Sequence, residues 1–100
     1  VYSTPMMLAL MENTAAELLS QFLDEGETSV GIRIDTSHDA ATPAKMKVWA
    51  TAQITAVDRK KVTFHIVAKD EKDVIGTAQH ERFIVNKEKF EAKAQSKLDK

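Results

Sequence analysis

One change of hydrophobic period divides this 100-residue chain. Beyond Pro5 and as far as Leu23, neither Gly nor Pro interrupts, and apolar residues recur with the period of a helix. Met7, Leu8, Met11, Ala15, Leu18, Leu19, Phe22 and Leu23 share one arc of about 200° on the helical wheel. An arc that wide predicts a helix covered over most of its circumference. Downstream the period falls to two. Val30, Ile32 and Ile34 alternate with Gly31, Arg33 and Asp35, and the same parity carries Thr36 and His38 inward. Met46 to Val57, Val62 to Ile66 and Val74 to Val85 read as further strands.

Local signals set the boundaries. Thr4-Pro5 reads as a helix start, with Thr4 as N-cap and Pro5 at the first helical position. Asp24-Glu25-Gly26 stops that helix. Ala40-Ala41-Thr42-Pro43 breaks the first strand, Asp58-Arg59-Lys60 is a turn, and Lys69 to Asp73 is a charged connection. Gly76 marks a bulge or a close approach. Asn86 looks like the N-cap of a short last helix in which Phe90, Ala94 and Leu98 recur every four residues. Links after Pro43 are short, so the sheet is expected to be largely antiparallel. The order is helix, four strands, helix: an α+β chain whose sheet curls around its first helix. Residues 1–100 read as a single domain, with no internal repeat or linker.

Composition excludes several classes of function. Fourteen basic and fifteen acidic residues leave a formal charge of -1, so electrostatic capture by nucleic acid or an anionic membrane is not expected. No apolar run approaches the roughly 18 residues that cross a bilayer. The absence of cysteine removes disulfides, thiolate metal sites and cysteine nucleophiles, and fits a reducing, cytoplasmic setting. No phosphate-binding glycine loop, nucleophile elbow or metal-spaced histidine pair occurs. No cofactor and no metal is expected.

Three residues carry possible chemistry. Glu12 falls inside the apolar arc, where a carboxylate is costly to bury; it is a candidate base, acid or nucleophile. The alternative is a Glu that reaches water or pairs with Arg33 or Arg82. His38 sits on the inward parity at a strand end, a common place for catalytic groups, or is a half-exposed histidine with a backbone partner. Thr4 is an N-cap or a hydroxyl at a helix N-terminus. His65 is expected to face solvent, and His80 is ambiguous. Thr4 and Glu12 are separated by about 12 Å along a straight helix. If both act on one substrate, either the chain bends at Pro5 or two subunits supply them.

The same residues resemble a known family. Val1-Tyr2-Ser3-Thr4-Pro5-Met6-Met7 running into Leu10-Met11-Glu12 is similar to the start of the central helix in fluoroacetyl-CoA-type thioesterases of the hotdog fold. Val30-Gly31, His38-Asp39-Ala40-Ala41-Thr42-Pro43, Ile75-Gly76 and His80-Glu81-Arg82 extend the resemblance over nearly the whole chain. It implies a hotdog fold, a homodimer or higher oligomer joined through sheet edges, and hydrolysis of acyl-CoA thioesters. It implies catalytic roles for Thr4, Glu12 and His38, an acyl-end contact at Gly31, and a substrate or CoA contact at Arg82, whose alternative is a salt bridge. The family's opening strand and gating residues have no counterpart in this sequence. An open sheet edge is therefore expected, with lower stability or activity than an extended form, and fluoroacetate specificity is not implied. The competing functions are a non-catalytic acyl-CoA-binding or dimerisation hotdog domain and an acyl-CoA hydratase. Thiol release from acyl-CoAs separates them.

Overall fold

The computed structural model describes residues 1–98. A helix, α1 (Thr4–Ser20), is followed by four strands, β1 (Glu27–His38), β2 (Val48–Asp58), β3 (Lys61–Asp70) and β4 (Val74–Asn86). A second helix, α2 (Lys87–Gln95), and a 3-10 turn (Ser96–Leu98) follow. The strands form one antiparallel sheet in the order β1-β4-β3-β2. The helix lies across one face of this sheet. Met7, Met11, Ala15 and Leu19, one turn apart along α1, are buried against Val62, Phe64, Ile66, Ala68, Ile75 and Ala78. Strict alternation along β3 supplies most of that sheet face.

The period-two and period-3.6 segments become the expected elements, with four local differences. Ser3, not Thr4, caps α1: its hydroxyl accepts the Met6 N–H at 3.3 Å, and its backbone is extended. Thr4 is thus the first helical residue and its hydroxyl is free for other work. The helix ends at Ser20 rather than Leu23, and Gly26, at φ +84°, belongs to the turn into β1. Only the Met7-to-Leu19 stripe of α1 is buried, so the helix is covered along one side, and Met6 and Phe22 are exposed. The β1 parity also breaks. A bulge between Gly31 and Arg33 in the pairing with β4 puts Ile32 out of register, leaving it 50% exposed. That bulge turns Gly31, not Ile32, toward α1.

Gly76 is a close approach. A Cβ there would lie 2.5 Å from the Ser37 carbonyl and 2.7 Å from Met7 Sδ. Gly76 also flanks a bulge: Ala68 pairs with Gly76 and Lys69 with Val74, so Ile75 is the extra residue on β4. Asn86 caps α2 as expected, accepting the Lys89 N–H at 2.9 Å, yet no residue of α2 is buried. No helix among the described residues is long and apolar enough to cross a membrane.

Candidate active site

The fold lays the first turn of α1 against the last residue of β1. Capping by Ser3 leaves the Thr4 side chain free, and the inward parity of β1 past its bulge aims His38 at it. Thr4 Oγ1 and His38 Nδ1 are 2.8 Å apart, a hydrogen bond between side chains 34 positions apart. The other ring nitrogen, His38 Nε2, is shielded from solvent and has no hydrogen-bond partner among the described residues. A polar ring atom left without a partner costs free energy unless something else fills the place. Depending on tautomer, it offers a lone pair for a proton or an N–H for a carbonyl oxygen.

Glu12 lies further along α1, facing the bulge of β1. A Cβ on Gly31 would stand 3.0 Å from Glu12 Oε2, 3.3 Å from His80 Cε1 and 3.4 Å from Arg82 Nη1. The missing side chain therefore leaves a notch bounded by a carboxylate, an imidazole and a guanidinium. Glu12 is half-buried and makes no ion pair among the described residues, with Arg33, Arg82 or any other cation. Arg82 is buried and is held by hydrogen bonds rather than a salt bridge. Its Nε donates to Ser29 Oγ (2.9 Å), Nη2 to the Ser29 carbonyl (3.0 Å) and Nη1 to His80 Nε2 (3.3 Å).

His80 is the site residue whose place sequence parity left open. It is 1% exposed, with Nδ1 2.7 Å from the Arg33 carbonyl. A carbonyl only accepts and a guanidinium only donates, so Nδ1 carries the proton and Nε2 does not. Burial pushes the His80 pKa below its ordinary value, the Arg82 cation pushes the same way, and the Arg33 carbonyl and Glu12 oppose them. His80 is thus a neutral wedge that orients Arg82 beside the notch. His65, half-buried on the outer face opposite Gln79, has no part in this.

Two clusters result: Thr4 with His38, and Glu12 with Gly31, His80 and Arg82. Within one protomer α1 runs as a continuous helix through Thr4 and Glu12, so the clusters stay about 12 Å apart along it. A shallow cavity of ≈ 190 Å³ opens on the first cluster, lined by Val1, Tyr2, His38, Asp39, Ala40 and Ala41. It does not include Glu12. No group of His, Asp and Glu among the described residues is placed to hold a metal ion.

Residues 1–88 match the model of the fluoroacetyl-CoA-specific thioesterase family. The chain belongs to that family. A fluoroacetyl-CoA thioesterase of Streptantibioticus cattleyicolor is 36% identical over 97 residues, covering 97% of this chain and 70% of its own. A crystal structure of a variant fluoroacetyl-CoA-specific thioesterase in complex with fluoroacetate and CoA has a TM-score of 0.91 at 36% identity, over 95% of this chain and 74% of that one. A thioesterase superfamily member from Thermus thermophilus has a TM-score of 0.95 at 29% identity, over 99% and 73% of the two chains. The four-stranded antiparallel sheet with α1 across it is the hotdog fold of these thioesterases. Family membership accounts for the shared architecture.

Proposed function

We infer that this protein hydrolyses acyl-CoA thioesters with small acyl groups to the free acid and CoA. The observation that carries the reading is the Thr4–His38 hydrogen bond of 2.8 Å with His38 Nε2 left unpartnered. Thr4 fixes the imidazole by one nitrogen, so the other is presented in a fixed orientation to a reacting group. Glu12 either attacks as nucleophile, giving an acyl-enzyme anhydride that water then hydrolyses to the free acid, or takes a proton from a water that attacks directly. Attack at the thioester carbon breaks the C–S bond, and the departing CoA sulfur takes a proton. The Gly31 notch receives the acyl end, with Arg82 at its rim. Its walls of Glu12, His80 and Arg82 side chains favour a short acyl group.

One active site takes its two halves from two subunits in this proposal. Among the described residues the outer edge of β1 is unpaired, and its twelve residues form a long edge strand. Antiparallel pairing of two β1 edges about a two-fold axis brings the His38 end of one strand beside the Gly31 end of the other. Glu12 of one subunit then faces His38 of its neighbour, which bridges the separation along α1. A cytoplasmic location accords with the cysteine-free sequence.

The test is release of CoA thiol from acetyl-, propionyl- and longer acyl-CoAs by wild type, Glu12→Gln and His38→Ala. Each substitution is expected to lower kcat/KM at least about 10²-fold, the usual contribution of a placed acid–base group. Equal rates in all three proteins remove the assignment. Saturable CoA-ester binding without turnover by wild type points to a binding domain instead.

A further inference from the structure

Beyond the two clusters, one buried polar pair has no partner in the chemistry. Thr42 is fully buried and Asp70 is nearly so. Asp70 closes β3, and its Oδ1 accepts the backbone N–H groups of Lys72 (2.8 Å) and Asp73 (2.7 Å). Those bonds, with the Asp70 N–H donating to the Asp73 carbonyl (2.9 Å), complete the β3–β4 turn. The turn needs nothing from the second oxygen. Asp70 Oδ2 instead accepts the Thr42 hydroxyl at 2.8 Å, across 28 positions of sequence. A hydrogen bond to a charged acceptor is roughly twice as strong as a neutral one. The N–H groups of Lys72 and Asp73, and then the Thr42 hydroxyl, hold the Asp70 carboxyl below the usual carboxylate range.

The backbone of Thr42 continues the chain of contacts. Its carbonyl accepts the Tyr2 N–H at 2.9 Å. Tyr2 lies two residues before Thr4, and Thr42 lies four residues after His38. Between them, the N–H groups of Asp39 (2.7 Å) and Ala40 (3.3 Å) donate to the Ile75 carbonyl. One buried threonine therefore ties together the two segments that carry Thr4 and His38, and Asp70 ties that threonine to the sheet.

We propose that Thr42 and Asp70 are positioning residues that set the Thr4–His38 hydrogen bond. They touch neither substrate nor reacting atoms. Loss of the Thr42 hydroxyl frees the loop after His38 and the segment before Thr4 together, and a displacement of about 1 Å at a reacting group can lower rate about 10²-fold. The proposal rests on the thioesterase reading for its kinetic measurement only.

The experiment compares wild type with Thr42→Val, Thr42→Ser, Asp70→Asn and Thr4→Ala. Nitrogen NMR of the three histidine rings reads the His38 Nδ1 hydrogen bond without any substrate, with His65, half-buried on the opposite face of the sheet, as internal reference. Thr42→Val and Asp70→Asn are expected to move the His38 Nδ1 signal toward that of Thr4→Ala, and Thr42→Ser to keep it at the wild-type place. In thiol-release assays, kcat is expected to fall at least about tenfold in Thr42→Val with KM within about twofold, and to recover in Thr42→Ser. Folded Thr42→Val and Asp70→Asn proteins whose His38 signals superimpose on wild type overturn the proposal, whatever their melting temperatures. If Thr42→Val does not fold, Asp70→Asn alone decides by the same signal. An inactive wild type overturns the thioesterase reading and leaves the NMR comparison to decide this one.

Discussion

At Gly31 the absent side chain matters more than any present one. Three side chains converge on the space a Cβ would take, the nearest being Glu12 Oε2 at 3.0 Å. All three are the ends of side chains, so the fold can yield by a few tenths of an ångström. Gly31→Ala is therefore expected to keep its melting temperature within a few degrees. Its kcat/KM for acetyl-CoA is expected to fall at least about tenfold, because the methyl displaces the carboxylate and fills the notch. Kinetics and a thermal melt on the same sample check both halves. His80 makes a second residue-scale prediction. Its pKa in the folded chain lies below the unfolded value of 6.5. As pH falls below 6.5 the unfolded chain takes up a proton that the folded chain refuses, so stability falls with it. The loss continues until the folded imidazole is itself protonated. Denaturant unfolding at pH 7.5, 6.5 and 5.5 is expected to show this slope in wild type and a shallower one in His80→Gln. Asp70, whose carboxyl is held low, loses its contribution only at more acid pH, below its ordinary value of 3.8.

Elements were more legible in the sequence than the site. The helix and the four strands follow from hydrophobic period alone, because each buries one face against a common core. The errors sit where that period carries no information. The apolar pattern runs on through Phe22 and overstates the helix, which ends at Ser20 and leaves Phe22 68% exposed beyond it. The β1 bulge is silent, because Gly31-Ile32 keeps the alternation that the bulge breaks. Ser3 and Thr4 are equal as caps on paper, and only the helix start decides which hydroxyl is spent. His80 and Asp70 find their partners 47 and 28 positions away, distances at which no local pattern speaks. Gly76 was legible as a point of close approach, and it gives the prediction at this scale. It faces Met7, one turn past Thr4, and pairs with His38 across the β1–β4 ladder. Gly76→Ala sets a methyl against the backbone carbonyl of Ser37, which cannot swing aside. Overpacking of this kind costs about 1–3 kcal/mol, and denaturant unfolding is expected to show a loss in that range. The His38 end of β1 is pushed from α1 at the same time, so activity falls with stability.

For the whole molecule, the spacing of the two clusters decides how many chains make a site. If Thr4, His38 and Glu12 of one protomer act together, α1 has to bring its first turn and its third to one atom, which a continuous helix does not do. If the β1 edges pair, each site combines the Thr4–His38 pair of one subunit with the Glu12–Gly31–Arg82 notch of the other. The two arrangements differ in a mixing experiment. His38→Ala and Glu12→Gln proteins are each expected to be inactive alone. Co-refolded in equal amounts, half of the dimers are mixed, and each mixed dimer holds one site with both native groups and one with neither. Activity is then expected to return to about a quarter of the wild-type value, from the random pairing of two chains in a two-fold dimer. A site contained within one chain gives no recovery at any mixing ratio, since every protomer lacks one group. Sedimentation of the mixture under the assay conditions establishes that dimers are present, and its concentration dependence should follow that of the recovered rate.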